Sequence, residues 1–315
     1  MNTKILALGD SWFHYPQGLD KDGEPVGFWN KIGGFFGFRK KAVGNVIKYL
    51  VSKHKVPVFY REKTITQIFD ATANPLASLD DTFGRCGEEL MVMVFGYKRK
   101  YPSSRVHPRT WLDLLVERIA NYSNDHEKFI ILLSAGGNDM VDDNLVDFLS
   151  PAPDPVNPIN VPAISEAINF KLKEAYLEIF ERICTNFPTK KFHFLFHGYG
   201  YPPVNGRGVF TALENSSLEF LHGMSPGPWL SPALIDMQKY QRPLAEKIIG
   251  DFIDMFNEML ANLKSNQPNG SLHYIDLRGI TDKINRDEGW CNEIHFDHSS
   301  YQKASKLFFD VIKTL

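Results

Sequence analysis

Cysteine is scarce in this chain: Cys86, Cys184 and Cys291 are the only three in 315 residues, and no two stand at C-x-x-C spacing. An odd number at wide intervals points neither to a disulfide framework nor to a zinc site. The three read as buried or free thiols in a reducing compartment. Long apolar runs are lacking too. The first, Ile5-Leu6-Ala7-Leu8, gives way to Gly9-Asp10 before it reaches the roughly 7 to 15 apolar residues of a secretory h-region. No stretch approaches the roughly 20 apolar residues of a membrane helix, so a soluble, cytoplasmic protein with no transmembrane segment is expected. Neither sign of charge dominates. A formal net charge of −2 offers no basic face, and no nucleic-acid partner is expected. The short runs Arg39-Lys40-Lys41 and Lys98-Arg99-Lys100 read as solvated surface. Internal repeats and low-complexity tracts do not occur, and nothing in the pattern speaks for an oligomeric state.

What is present is ordinary globular composition, with 43% hydrophobic and 23% charged residues. Short aliphatic runs alternate with amphipathic stretches. Lys4–Leu8, Lys128–Ser134, Lys191–Phe196 and Ser271–Leu277 read as buried strands. A further strand is expected within Val56–Tyr60 or Gln67–Ala73. Thr110–Tyr122, Ser165–Asn186 with a Ser N-cap, Pro243–Lys264 and Tyr301–Leu315 carry apolar residues at helical spacing and read as helices whose stripes face the core. The aromatic cluster Phe13, Tyr15, Phe28, Trp29, Phe35, Phe36 and Phe38 reads as core packing, with an apolar acyl pocket or lipid-docking lip as the functional alternative. Alternation of this kind predicts an α/β protein, a parallel sheet between helices. One domain over 1–315 is expected, with loop insertions near 142–162 and 201–243 where prolines gather.

Ligands of such sheets sit beyond the carboxyl ends of the strands, and three polar segments fall there. Gly9-Asp10-Ser11-Trp12-Phe13 follows the first strand and presents a serine hydroxyl at the rim, although Gly-Asp-Ser alone is a common turn composition. Gly136-Gly137-Asn138-Asp139 follows another strand; its glycines allow close approach of backbone and its Asn amide can donate to an oxyanion. Gly289-Trp290-Cys291-Asn292-Glu293-Ile294-His295 lies between the last strand and the last helix. A histidine there supplies the base that a weak serine nucleophile needs.

These three blocks, in this order, resemble those of the SGNH (GDSL-type) hydrolases, closest to a bacterial branch with a GDSWF opening, an HGY segment (here His197-Gly198-Tyr199) and a W-x-N-E-hydrophobic-H ending. The resemblance implies a three-layer α/β/α sandwich around a flavodoxin-like parallel sheet of about five strands. It implies ester hydrolysis of a small-molecule, acyl or acetyl ester through an acyl-enzyme on Ser11, with His295 as base and no metal or organic cofactor. The oxyanion would be held by Ser11, Asn138 and a glycine, Gly87 in preference to Gly84. Where many relatives have an Asp three residues before the His, this chain has Asn292. An Asn can orient the ring without lending charge, so Asn292, Asp287, Glu293, Asp297 or a backbone carbonyl are the candidates for third member. After His295 the chain reads Phe296-Asp297-His298 where Pro-Thr is common in relatives, so helix capping nearby is expected to differ.

Other readings are weaker. Gly223-Met224-Ser225-Pro226-Gly227 fits the G-x-S-x-G pattern, but Pro226 has no N–H for an oxyanion hole, so it reads as a loop. Asp10, His14 and Asn138 are too few for a two-metal phosphoesterase, and His193 and His197 read as strand and loop residues. A binding module that kept the fold and lost turnover is the rival from another class.

Overall fold

The computed structural model describes residues 3–14, 45–58, 81–84, 88–98, 101–105, 109–208, 227–264 and 266–315. Five strands form one parallel sheet: β1 (Thr3–Gly9), β2 (Thr82–Phe83), β3 (Lys128–Ser134), β4 (Lys191–His197) and β5 (Gly270–Ile275), in the order β2-β1-β3-β4-β5. Ile5 to Leu8 in β1 and Phe129 to Leu133 in β3 are buried without a break, as they must be in a sheet covered on both faces. A separate antiparallel pair joins Tyr97–Lys98 to Tyr101–Arg105.

Helices cover both sides. They are α1 (Ser11–His14), α2 (Val46–Ser52), α3 (Leu90–Phe95), α4 (Trp111–Tyr122), α5 (Asp143–Val146), α6 (Val161–Glu166), α7 (Lys173–Asn186), α8 (Arg242–Ala261) and α9 (His298–Ile312). On one side α9 packs against α2; on the other α3, α4 and α7 pack together, and α8 meets the π-helical stretch Ala167–Leu172 that links α6 to α7. No described helix is long and apolar enough to cross a membrane.

The expected architecture is present, with local corrections. The strand beside β1 is Thr82–Phe83, in neither window proposed for it. Val56–Val58 forms no strand, and Gln67–Ala73 lies outside the described residues. The helical run begins at Val161, not at Ser165, because Asn160 accepts a hydrogen bond from the Ala163 N–H and caps it earlier. The last helix starts at His298, where the Asp297 carboxylate accepts from the Ser300 N–H. In the insertion near 142–162 lie α5, a bridge between Leu149 and Ile159, and the start of α6. Of the aromatic cluster, Phe13 is fully buried in the core, and Tyr15 to Phe38 lie outside the described residues. Cys184 is buried, which pushes its thiol up to about 11. Cys291 is partly buried and forms no disulfide among the described residues, and Cys86 lies outside them.

The sheet order reverses between β1 and β3, the switch point where ligands of such folds bind. Gly9 is paired with Ser134. The Gly9-Asp10-Ser11 turn and the Gly136-Gly137-Asn138-Asp139 turn therefore leave the sheet side by side.

Candidate active site

Asp10 shapes the turn that carries Ser11. Its Oδ1 accepts from the Trp12 N–H at 3.0 Å and the Ser134 hydroxyl at 2.8 Å, and its Oδ2 from the Tyr199 hydroxyl at 2.9 Å. Its own N–H reaches the Ser134 carbonyl at 2.9 Å. Burial raises the Asp10 carboxyl to about 6 against these hydrogen bonds, which lower it. The tie makes the chain turn from β1 into α1 and leaves Ser11 as the first helical residue, where a backbone N–H has no partner within the helix.

Ser11 and His295 lie 284 positions apart in the chain and meet here, with His295 Nε2 at 2.8 Å from Ser11 Oγ. On the far side of the ring, His295 Nδ1 is 3.0 Å from Asn292 Oδ1. The backbone N–H groups of Ile294 and His295 also donate to that atom, at 3.0 and 2.9 Å. Amide N–H groups point only at acceptors, so these two fix the Asn292 side chain with its oxygen toward the ring. An oxygen there requires a proton on Nδ1 and leaves the Nε2 lone pair facing the serine hydroxyl. Burial holds His295 down to about 3, so the ring is neutral near pH 7.

The other candidates for third member are engaged elsewhere. Asp287 accepts from the Asn205 side-chain amide at 2.8 Å and pairs with Arg242 at 2.8 Å. Asp297 caps α9. Glu293 binds backbone amides of 205–206 and 229–231.

Across the switch point, Gly136 has φ +96°, and a Cβ on it would strike the Phe256 ring at 2.7 Å. The Gly137 N–H donates to the Tyr199 hydroxyl at 3.1 Å. Asn138 donates one side-chain N–H to the Glu88 carbonyl at 3.0 Å, which orients its amide, and its second N–H makes no hydrogen bond among the described residues. Asp139 accepts from the N–H groups of Leu90 at 2.7 Å and Met91 at 3.2 Å, and so holds the start of α3. Of the two glycine candidates, Gly87 lies outside the described residues. Gly84 has φ +107°, and a Cβ there would stand 2.0 Å from the Gly9 carbonyl oxygen, so its close crossing of β1 already requires glycine.

Ser11 and Asn138 open onto a cavity of about 70 Å³. Its walls are Met140, Val141, Leu230, Ile249, Phe252, Ile253 and Phe256 among others. Ile249, Phe252, Ile253 and Phe256 recur at helical spacing on α8, whose stripe reads from sequence as core alone. One edge of that stripe faces the cavity.

Among the described residues no group of three or more His, Cys, Asp or Glu side chains is arranged to hold a metal ion. His197 is buried against Trp12, Phe13, Tyr199 and Phe308, and burial lowers it to about 4. His193 pairs with His273 at 3.2 Å across β4 and β5. The His14 side chain lies outside the described residues, as do positions 223–226 of the G-x-S-x-G segment. The roles of Asp10, Asp139 and Tyr199 are not readable from sequence periodicity. Their signal is position alone, each beside a glycine or asparagine at a strand end.

No family model matches the sequence, and no curated protein matches it. Solved structures do. An inhibitor-bound aryl esterase of M. smegmatis is 11% identical, with both chains covered in full and a TM-score of 0.36. An extracellular lipase from Streptomyces rimosus is 10% identical, with 99% of each chain covered and a TM-score of 0.39. A family 3 carbohydrate esterase of Clostridium thermocellum is 14% identical over 99% of this chain and 98% of that one, at a TM-score of 0.32. These likenesses are distant.

Proposed function

We propose that this chain is a serine ester hydrolase of the SGNH type. The observation that carries the reading is the 2.8 Å separation of Ser11 Oγ and His295 Nε2, with the ring held in the matching tautomer by Asn292. Ser11 Oγ attacks the ester carbonyl carbon while its proton passes to His295 Nε2. The carbonyl π electrons move to oxygen, and the resulting oxyanion is received by the free N–H of Asn138, the Ser11 N–H and a glycine N–H, Gly87 in preference to Gly84. Collapse expels the alcohol, which takes its proton from His295 and leaves an acyl-enzyme on Ser11. Water, deprotonated by the same nitrogen, attacks that ester and releases the acid.

The cavity supports a short apolar acyl group. A cavity of about 150 Å³ holds benzene, and this one has about 70 Å³. Space of that size suits an acyl chain of a few carbons.

A fluorophosphonate probe tests the reading. Ser11 is labelled in the wild type, and a Ser11→Ala variant is not. Absence of label on folded wild-type protein, together with no turnover of p-nitrophenyl esters, would sink the proposal and favour a binding module.

A further inference from the structure

Glu293 stands between Asn292 and Ile294 and is fully buried. Its carboxylate is occupied by amides. Oε1 accepts from the backbone N–H of Asn205 at 3.2 Å and of Gly206 at 2.9 Å, and from the Ser231 hydroxyl. Oε2 accepts from the N–H groups of Trp229 at 2.8 Å, Leu230 at 2.7 Å and Ser231 at 3.3 Å. The Glu293 N–H in turn donates to the Arg207 carbonyl at 3.2 Å. One residue thus joins three stretches of chain, its carboxylate reaching 205–206 and 229–231 and its backbone N–H reaching Arg207 from the loop that carries His295.

What it holds bears on the reaction. The Trp229 indole packs edge-on with the His295 imidazole, ring centres 5.6 Å apart and planes at 78°. The Trp229 carbonyl also accepts from the Asp142 N–H at 3.1 Å, which ties it to the loop after Asn138. Amide donors to a buried carboxylate form strong, charge-assisted bonds, and few side chains fix a backbone segment so firmly.

We propose that Glu293 is a positioning residue of the hydrolase, acting through Trp229 to fix the imidazole of His295 against Ser11. This rests on the function proposed above. The imidazole moves a proton in each half of the reaction and must return to one orientation every time. Asn292 restrains one edge of the ring; Trp229, set in place by Glu293, restrains it from another direction.

Glu293→Gln keeps the side chain's size but has one accepting oxygen in place of two, so part of the amide set loses its partner. With p-nitrophenyl butyrate, kcat is expected to fall roughly 10- to 100-fold, the scale of a small misplacement of reacting groups, with a smaller change in KM. Trp229→Ala is expected to cost a similar factor. The double variant is expected to be no slower than Trp229→Ala alone, because both changes remove one restraint. Wild-type kcat in Glu293→Gln below its melting temperature, or losses that multiply in the double variant, overturns the proposal. Where circular dichroism shows that Glu293→Gln does not fold, Ser231→Ala takes its place. Its smaller kcat loss is expected to vanish in the Trp229→Ala background, and persistence there overturns the proposal. Wild-type protein with neither turnover nor fluorophosphonate label would end the hydrolase reading itself, and this one with it. Turnover by the wild type with an unaffected Glu293→Gln ends this one alone.

Discussion

The Tyr199 hydroxyl donates to Asp10 Oδ2 at 2.9 Å and accepts from the Gly137 N–H at 3.1 Å, so a single oxygen ties the turn that carries Ser11 to the turn that carries Asn138. Tyr199→Phe keeps the ring, which stacks on Phe256, and removes only that oxygen. A buried carboxylate oxygen and a backbone N–H then each lose a partner, and stability is expected to drop by about 2 kcal/mol in a denaturant titration. Ester turnover is expected to fall with it, since both halves of the site shift. Unchanged kcat would mean that the two turns are positioned independently.

Asn292 holds its ring partner without charge, and its Nδ2 is buried with no hydrogen bond among the described residues. Asn292→Ala removes the acceptor that selects the tautomer, and kcat is expected to fall roughly 100-fold or more. Asn292→Asp replaces that Nδ2 by a carboxylate oxygen and sets a negative charge beside Nδ1. An imidazolium is then favoured, so the acid limb of kcat/KM is expected to move to higher pH. A limb that stays put in Asn292→Asp would show that position 292 does not face the titrating ring.

Burial sets the sign of the pH dependence. His295 and His197 are held to about 3 and about 4, below their ordinary 6.5, and Asp10 is raised to about 6 from 3.8. Between pH 6 and pH 4 the unfolded chain gains protons on both histidines that the folded chain does not take. The folded chain over the same window holds one proton on Asp10 that the unfolded chain lacks. These three groups leave the unfolded state ahead by one proton, so stability is full above 6.5 and falls as the pH drops, by about 1.4 kcal/mol per pH unit. Activity is expected to outlast that decline: His295 stays unprotonated, so kcat/KM holds its plateau below pH 5 while the protein remains folded. A limb at 6.5 or above would contradict a buried ring.

Asn138 donates one side-chain N–H to the Glu88 carbonyl, and in the proposed mechanism its other N–H goes to the oxyanion. Asn138→Ala is therefore expected to cost roughly 100- to 1,000-fold in kcat, the loss typical of a single oxyanion donor. Its effect on melting should be small. Wild-type turnover in this variant would remove Asn138 from the proposed mechanism.

Much of this arrangement is legible in the sequence because it is local. The runs Ile5–Leu8 and Phe129–Leu133 are buried on both faces and announce themselves by unbroken hydrophobicity. Ser11 and Asn138 stand where such runs end. Thr82–Phe83 escapes the same reading because two residues show no period, and it is a strand only by its pairing with Ala7 and Leu8. Asp10 and Glu293 escape for another reason. A carboxylate reads as solvated surface until the chain folds, and what makes these two structural is the ring of N–H and O–H donors brought to them from up to 189 positions away. Asn160 displaces Ser165 as helix cap because a cap is decided by which side chain reaches a free N–H, and both residues are good at it.

The α8 edge of the cavity yields the prediction that bears most directly on substrate. Ile253 is half-buried there, so Ile253→Ala enlarges the cavity at little cost to the core. In the wild type, p-nitrophenyl acetate, propionate and butyrate are expected to turn over well and octanoate poorly. One methylene in an apolar pocket is worth roughly 10- to 200-fold in kcat/KM, and here the penalty falls on chains that overfill the space. In Ile253→Ala the optimum is expected to move to longer chains while the acetate rate stays near that of the wild type, because the bond being broken lies at Ser11 and not at the cavity's end. Equal rates on acetate and octanoate in both proteins would place the acyl chain elsewhere and leave this cavity without a role in selecting the substrate.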